Sequence, residues 1–111
     1  MRPVTISGAE FTQEVLNANQ LTLVYFEVPW LRSYRRIISP ILDVISDRYD
    51  WEIKIVKIDM EKYAETAEEH GVKKTPAILF FAGGKIVDRY AGLGSIQNLD
   101  ARIQRLLSVL V

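Results

Sequence analysis

Residues 21–28 read Leu-Thr-Leu-Val-Tyr-Phe-Glu-Val, mostly apolar and either β-branched or aromatic. Such a run fits a strand buried on both faces, and a strand of that kind needs covering layers above and below it. A second buried strand is predicted at 77–82, Ala-Ile-Leu-Phe-Phe-Ala. Gly83-Gly84 follows it, a pair suited to a two-residue hairpin turn, so 85–91 is expected to return antiparallel.

Helices supply the layers. Across 33–49, Ile37, Ile38, Ile41, Leu42, Ile45 and Tyr49 recur at helical spacing and predict an apolar stripe. Pro40 lies inside that stretch, where it removes one hydrogen bond and is expected to kink the helix. A last helix is predicted after Ser95, with Leu99, Ile103, Leu106, Leu107 and Leu110 inward. Upstream, 4–6 reads as a short strand. Ser7 and Glu10 fit a capping box for a helix that turns Phe11, Val15 and Leu16 inward and frays at 17–19. Residues 51–59 alternate as a strand with Trp51, Ile53 and Ile55 on one side, and 61–70 is a polar helix that Gly71 ends in a left-handed cap. The order is βαβαβαββα. Its alternating first half favours parallel pairing with right-handed crossovers, and its hairpin adds antiparallel strands. The expected class is α/β, a central mixed sheet with helices on both faces, in one domain spanning 1–111.

Composition narrows the chemistry. The 111 residues include no cysteine, which excludes disulfides, thiolate nucleophiles and iron–sulfur ligation by this chain. With His70 the single histidine, no zinc site is expected, and no phosphate-loop or dinucleotide fingerprint is present. No cofactor and no metal are expected. No apolar run approaches the roughly 18 residues that cross a membrane, and the N-terminus lacks the apolar core of a secretory signal. A cytoplasmic location away from membranes follows as the expectation. The 14 Lys and Arg balance 14 Asp and Glu, so global charge favours no partner class and argues against nucleic acid.

Smaller features then fall into a recognisable series. Leu23-Val24-Tyr25-Phe26 precedes Trp30, and Ile38-Ser39-Pro40-Ile41-Leu42 follows inside the predicted helix. Lys57-Ile58-Asp59 comes next, then Gly71-Val72, Thr75-Pro76, Gly84 and Gly92. In that order and spacing they resemble the thioredoxin family over nearly the whole chain. The resemblance implies the thioredoxin fold, with Trp30 just before the redox motif, Pro40 in the active-site helix and a cis bond between Thr75 and Pro76. It places Gly92 near the active-site surface.

Departures from the family pattern bear on function. Where the family has Trp-Cys-Gly-Pro-Cys, this chain has Trp30-Leu31-Arg32-Ser33-Tyr34-Arg35. Counted forward from Trp30, the cysteine positions are Leu31 and Tyr34; counted back from Pro40, they are Arg32 and Arg35. The family's buried aspartate matches Tyr25, and its partner lysine matches Lys57. The Tyr25 hydroxyl, Glu27 or water is expected near the Lys57 amine, unless that amine reaches solvent with its stem buried. The resemblance without the thiols predicts that the chain is redox-inactive and not an enzyme.

What the resemblance leaves is a binding face. It would comprise residues 30–36, Lys73, Lys74, Thr75, Pro76 and Gly92, with extended peptide pairing beside the proline loop. Arg32, Arg35 and Arg36 cluster at a helix start, where the backbone is already partly positive. Lys73 and Lys74 are expected at the same corner, so five cations would converge there. A solvated, locally paired surface explains them equally well. The leading expectation is a non-catalytic module that binds a protein, an acidic segment among the candidates. A regulatory or targeting subunit of a thiol–disulfide system, an anion or nucleic-acid binder, and a homodimer joined through Trp30 and Tyr34 are the alternatives.

Overall fold

The computed structural model describes residues 2–73, 77–91 and 95–110. Its strands are β1 (Val4–Ile6), β2 (Leu21–Glu27), β3 (Ile53–Asp59), β4 (Ala77–Ala82) and β5 (Lys85–Ala91), and its α-helices are α1 (Arg32–Tyr49), α2 (Ala64–Glu69) and α3 (Ile96–Leu110). The five strands form one mixed sheet in the order β1-β3-β2-β4-β5. β1 and β2 run parallel to β3, while β4 is antiparallel to both β2 and β5. This is the α/β architecture expected, with β2 at its centre and buried on both faces.

Alternation along β2 divides the core in two. Val24, Phe26 and Val28 pack with Phe11, Val15, Ile58 and Phe81 on one face of the sheet. Leu21, Leu23 and Tyr25 pack on the other, against Ile38, Leu42 and Ile45 of α1 and Leu99 and Ile103 of α3. Burying each large aliphatic side chain contributes roughly 1.5–3 kcal/mol, so α1 and α3 are held mainly by these stripes.

Several local expectations hold. The Ser7 backbone N–H donates to the Glu10 carboxylate at 2.8 Å, completing the capping box. Gly71 has φ +75, its N–H donates to the Glu68 carbonyl, and the Val72 N–H donates to the Ala67 carbonyl, a left-handed helix end. Gly83 and Gly84 have φ of +57 and +80, as a two-residue hairpin with both central residues left-handed demands. The Asn98 N–H donates to the Ser95 hydroxyl at 3.1 Å at the start of α3.

Others need correction. The first predicted helix is a 3₁₀ turn, Gly8–Glu10, followed by a single π-helical stretch, Thr12–Leu16. Trp51 is not in a strand. It sits in a 3₁₀ turn, Asp50–Glu52, that carries the chain out of α1, and it is exposed because β3 begins only at Ile53. Ile37 and Leu110 were expected inward and are exposed, because each lies at the edge of its helical stripe. α2 covers only part of 61–70. His70 caps its end, and its ring lies 4.6 Å from Phe11 and 5.5 Å from Phe81, centroid to centroid. No helix among the described residues is long and apolar enough to cross a membrane.

Candidate functional site

Two strand ends and one helix start build the site. The period of two along β2 puts Tyr25 and Glu27 on the same sheet face, the one α1 covers. Parallel register sets Tyr25 beside Lys57 of β3. The start of α1 adds Arg32, Arg35, Arg36 and Ser39, and together these groups line an open cavity of about 410 Å³.

The arginines are not equivalent. Arg35 Nε lies 3.4 Å from Glu27 Oε2, and its Nη1 donates to the Pro29 carbonyl at 3.2 Å. Arg35 thus follows the locally paired reading. Among the described residues, the guanidinium groups of Arg32 and Arg36 have no ion pair or hydrogen bond. They stand at a helix start that has no side-chain cap and no acid in its first turn.

Below them is Tyr25, only 1% exposed, with a hydroxyl that has no hydrogen-bond partner. Its ring stacks on Tyr34 at 5.9 Å. Burial pushes the Tyr25 phenol well above its ordinary range; the Glu27 carboxylate and Tyr34 reinforce this and Arg35 opposes it. The hydroxyl therefore keeps its proton and remains a donor. Of the groups expected near the Lys57 amine, the Tyr25 hydroxyl makes no hydrogen bond to it, while Tyr25 and Glu27 both line one cavity with Lys57.

Beside this cavity is an apolar shelf. Trp30, Leu31, Arg32, Ser33, Tyr34 and Ile37 line a depression of about 560 Å³. Trp30 is 64% exposed and Ile37 45%. The Trp30 indole N–H donates to Glu61 Oε2 at 2.8 Å, which fixes the ring in place. Of the two alignments for the lost cysteines, Leu31 and Tyr34 are half-buried, whereas Arg32 and Arg35 are exposed.

The expected convergence of five cations is only partly met among the described residues. Lys73 lines a separate depression with Arg89 and Tyr90. Lys74, Thr75, Pro76 and Gly92 lie outside the described residues, and so does the expected cis bond. Sequence reasoning missed the Glu61 contact to Trp30 and the exposure of Ile37. Glu27 was named in the sequence only as a candidate neighbour of Lys57, and its pair with Arg35 was missed.

Comparison with known proteins converges on one family. The family model described as thioredoxin matches residues 2–105. A thioredoxin of Synechocystis sp. is 30% identical over 102 residues, covering 92% of this chain and 94% of that protein. A thioredoxin of Porphyra purpurea is 32% identical over 103 residues, covering 93% and 95%. One of Griffithsia pacifica is 37% identical over 87 residues, covering 78% and 79%. These relatives overturn the expectation that the chain is not an enzyme, because thioredoxins are an oxidoreductase family. The similarity extends over most of the chain, although the chain contains no cysteine.

Proposed function

Because the chain belongs to the thioredoxin family, we propose that it works by binding a protein partner on the shelf from Trp30 to Ile37, with Arg32 and Arg36 at the edge. The observation that carries this reading is the composition of the shelf. An exposed tryptophan held by a hydrogen bond, a neighbouring tyrosine and an exposed isoleucine lie beside two unpaired arginines. Aromatic and arginine anchors are the residues that most often dominate binding energy at interfaces. A ring already fixed in place loses little side-chain entropy on docking. The arginine edge suits an acidic segment, because arginine forks pair well with carboxylates.

Affinity capture from a lysate of the source organism tests this. The native chain is compared with Trp30→Ala and with Arg32→Glu/Arg36→Glu, leaving Arg35 to its pair with Glu27. A partner retained by the native chain and lost by both variants supports the shelf. Equal capture by all three proteins sinks it.

A second reading keeps the binding inside thiol–disulfide chemistry. The relatives are thioredoxins by name, while this chain contributes no thiol. As a regulatory or targeting subunit, it would dock a partner that carries the cysteines. Captured partners bearing paired cysteines, and affinities that change when those cysteines are oxidised, would favour this reading.

A further inference from the structure

Two tryptophans flank α1, and both are exposed. Trp30, just before the helix, belongs to the shelf, whose unpaired charges are Arg32 and Arg36. Trp51, just after it, is 68% exposed in the turn Asp50–Glu52. Glu52 of that turn lines a depression of about 530 Å³ with Leu107 and the exposed Leu110 of α3. The unpaired charges at this end are carboxylates. Among the described residues, Asp43, Asp47 and Glu52 make no ion pair. Asp43 and Asp47 are exposed and lie one turn apart on α1. The cations nearest to this turn in the chain, Arg48 and Lys54, are held by Asp100 and Glu14. Each end of α1 therefore presents an uncovered tryptophan with apolar neighbours and unpaired charges, and the charges at the two ends have opposite sign.

We propose that a second copy of this chain occupies the shelf, the Trp51 end of one molecule docking head to tail on the Trp30 end of the next. This rests on the reading of the shelf as a docking surface and names what docks there. Charge selects the arrangement. A two-fold dimer joined through Trp30 and Tyr34 is self-complementary by symmetry, so it sets Arg32 and Arg36 against their own copies. A two-fold dimer through Trp51 likewise sets carboxylates against carboxylates. Like charges brought together at an interface are costly, whereas the head-to-tail contact brings arginines to carboxylates. It also offers the guanidinium groups of one molecule the face of Trp51 on the next. A single molecule cannot join its own ends, because the 18 residues of α1 hold them about 27 Å apart. With 14 Lys and Arg against 14 Asp and Glu, no net charge keeps copies from meeting.

Sedimentation velocity on the full purified chain, from micromolar to millimolar concentration, is the test. The native chain is expected to grow in mass with concentration, and salt should oppose that growth by screening the charges. Trp30→Ala and Trp51→Ala should each weaken self-association about thirtyfold or more, as loss of an interface anchor does. Both side chains are exposed, so neither substitution opens the core. Mixing the two variants is the decisive step. Trp30→Ala keeps an intact Trp51 end and Trp51→Ala keeps an intact shelf, so the mixture should form a one-to-one dimer and stop there. That dimer also shows that both variants are folded. Self-association that Trp51→Ala leaves intact would mean two-fold pairing through the shelf and overturns the proposal. So does a mixture that stays monomeric at concentrations where the native chain associates. A native chain that is monomeric throughout overturns it as well, and capture of a different protein that still depends on Trp30 would then leave the docking reading standing.

Discussion

At its C-terminal end α1 closes on partners that it keeps. The Tyr49 hydroxyl donates to the Asp100 carboxylate, and Arg48 Nη1 lies 3.4 Å from the same carboxylate. Gln104 Nε2 donates to the other Asp100 oxygen at 3.2 Å. A cation in the last turn also suits the helix dipole. The N-terminal end of the same helix has the opposite character. Leu31 offers no side-chain cap, the first turn has no acid, and the Tyr25 hydroxyl beneath it is unbonded. α3 shows that the fold does not require this, since Ser95 caps its start. Both ends of α1 lie over the same apolar core, so packing does not account for the difference. One end spends its polar groups on holding α1 to α3. The other leaves the Arg32 and Arg36 guanidinium groups unpaired among the described residues and the Tyr25 hydroxyl buried and unbonded.

The largest effect is expected where the polar groups are already satisfied. Asp100→Ala leaves the Tyr49 hydroxyl only the residue-100 backbone carbonyl at 3.3 Å and frees Arg48, and should destabilise the chain by about 1–3 kcal/mol. Chemical denaturation with the slope held common to both proteins measures it. A loss below about 0.5 kcal/mol would mean that this end of α1 is no more committed than the other.

A somewhat smaller effect, about 1 kcal/mol, is expected for Tyr49→Phe, and it carries a pH signature. Burial, with the hydrogen bond to Asp100, pushes the Tyr49 phenol up from 10.0 to about 12. The native state then holds this proton more tightly than the unfolded chain does. Its contribution is full below pH 10 and declines as the pH rises from 10 towards 12, where the folded group itself ionises. The native chain should therefore lose stability in that window more steeply than Tyr49→Phe does. Identical profiles would remove Tyr49 from the account. Tyr25 is shifted in the same direction, so the difference between the two proteins, not the absolute slope, is the quantity to read.

Much of this contrast could be read in the sequence, and the unread part has physical causes. The mostly apolar run of β2 and the Gly83-Gly84 turn are local signals, and both led to the observed sheet. The cation cluster at the start of α1 was equally plain, because Arg32, Arg35 and Arg36 are neighbours in the chain. What could not be read was which of them has a partner. Arg35 meets Glu27 across a loop, and Tyr49 meets Asp100 across 51 positions of sequence. Such pairs depend on how α1 is laid over the sheet. The stripe of α1 also did not show how wide a face the sheet would cover. Ile37 was assigned to the core on periodicity alone, and it became part of the exposed shelf.

The smallest effect tests the N-terminal end directly. Ser33 is exposed in the first turn of α1. A carboxylate there would meet the positive end of the helix dipole and lie one turn from Arg36. Ser33→Glu should therefore stabilise the isolated chain by about 0.3–1 kcal/mol, most clearly at low ionic strength, because salt screens exposed charge. The same substitution offsets one of the cations that face the shelf and the cavity, so it should weaken whatever anionic group binds there. A gain in stability paired with a loss of binding would mean that this end of α1 gives up stability to remain electropositive. Stabilisation with unchanged binding would leave the arginines as ordinary solvated charges. A loss of stability would show that the first turn is not electrostatically exposed, and the contrast between the two ends of α1 would then have to rest on Tyr25 and Tyr49 alone.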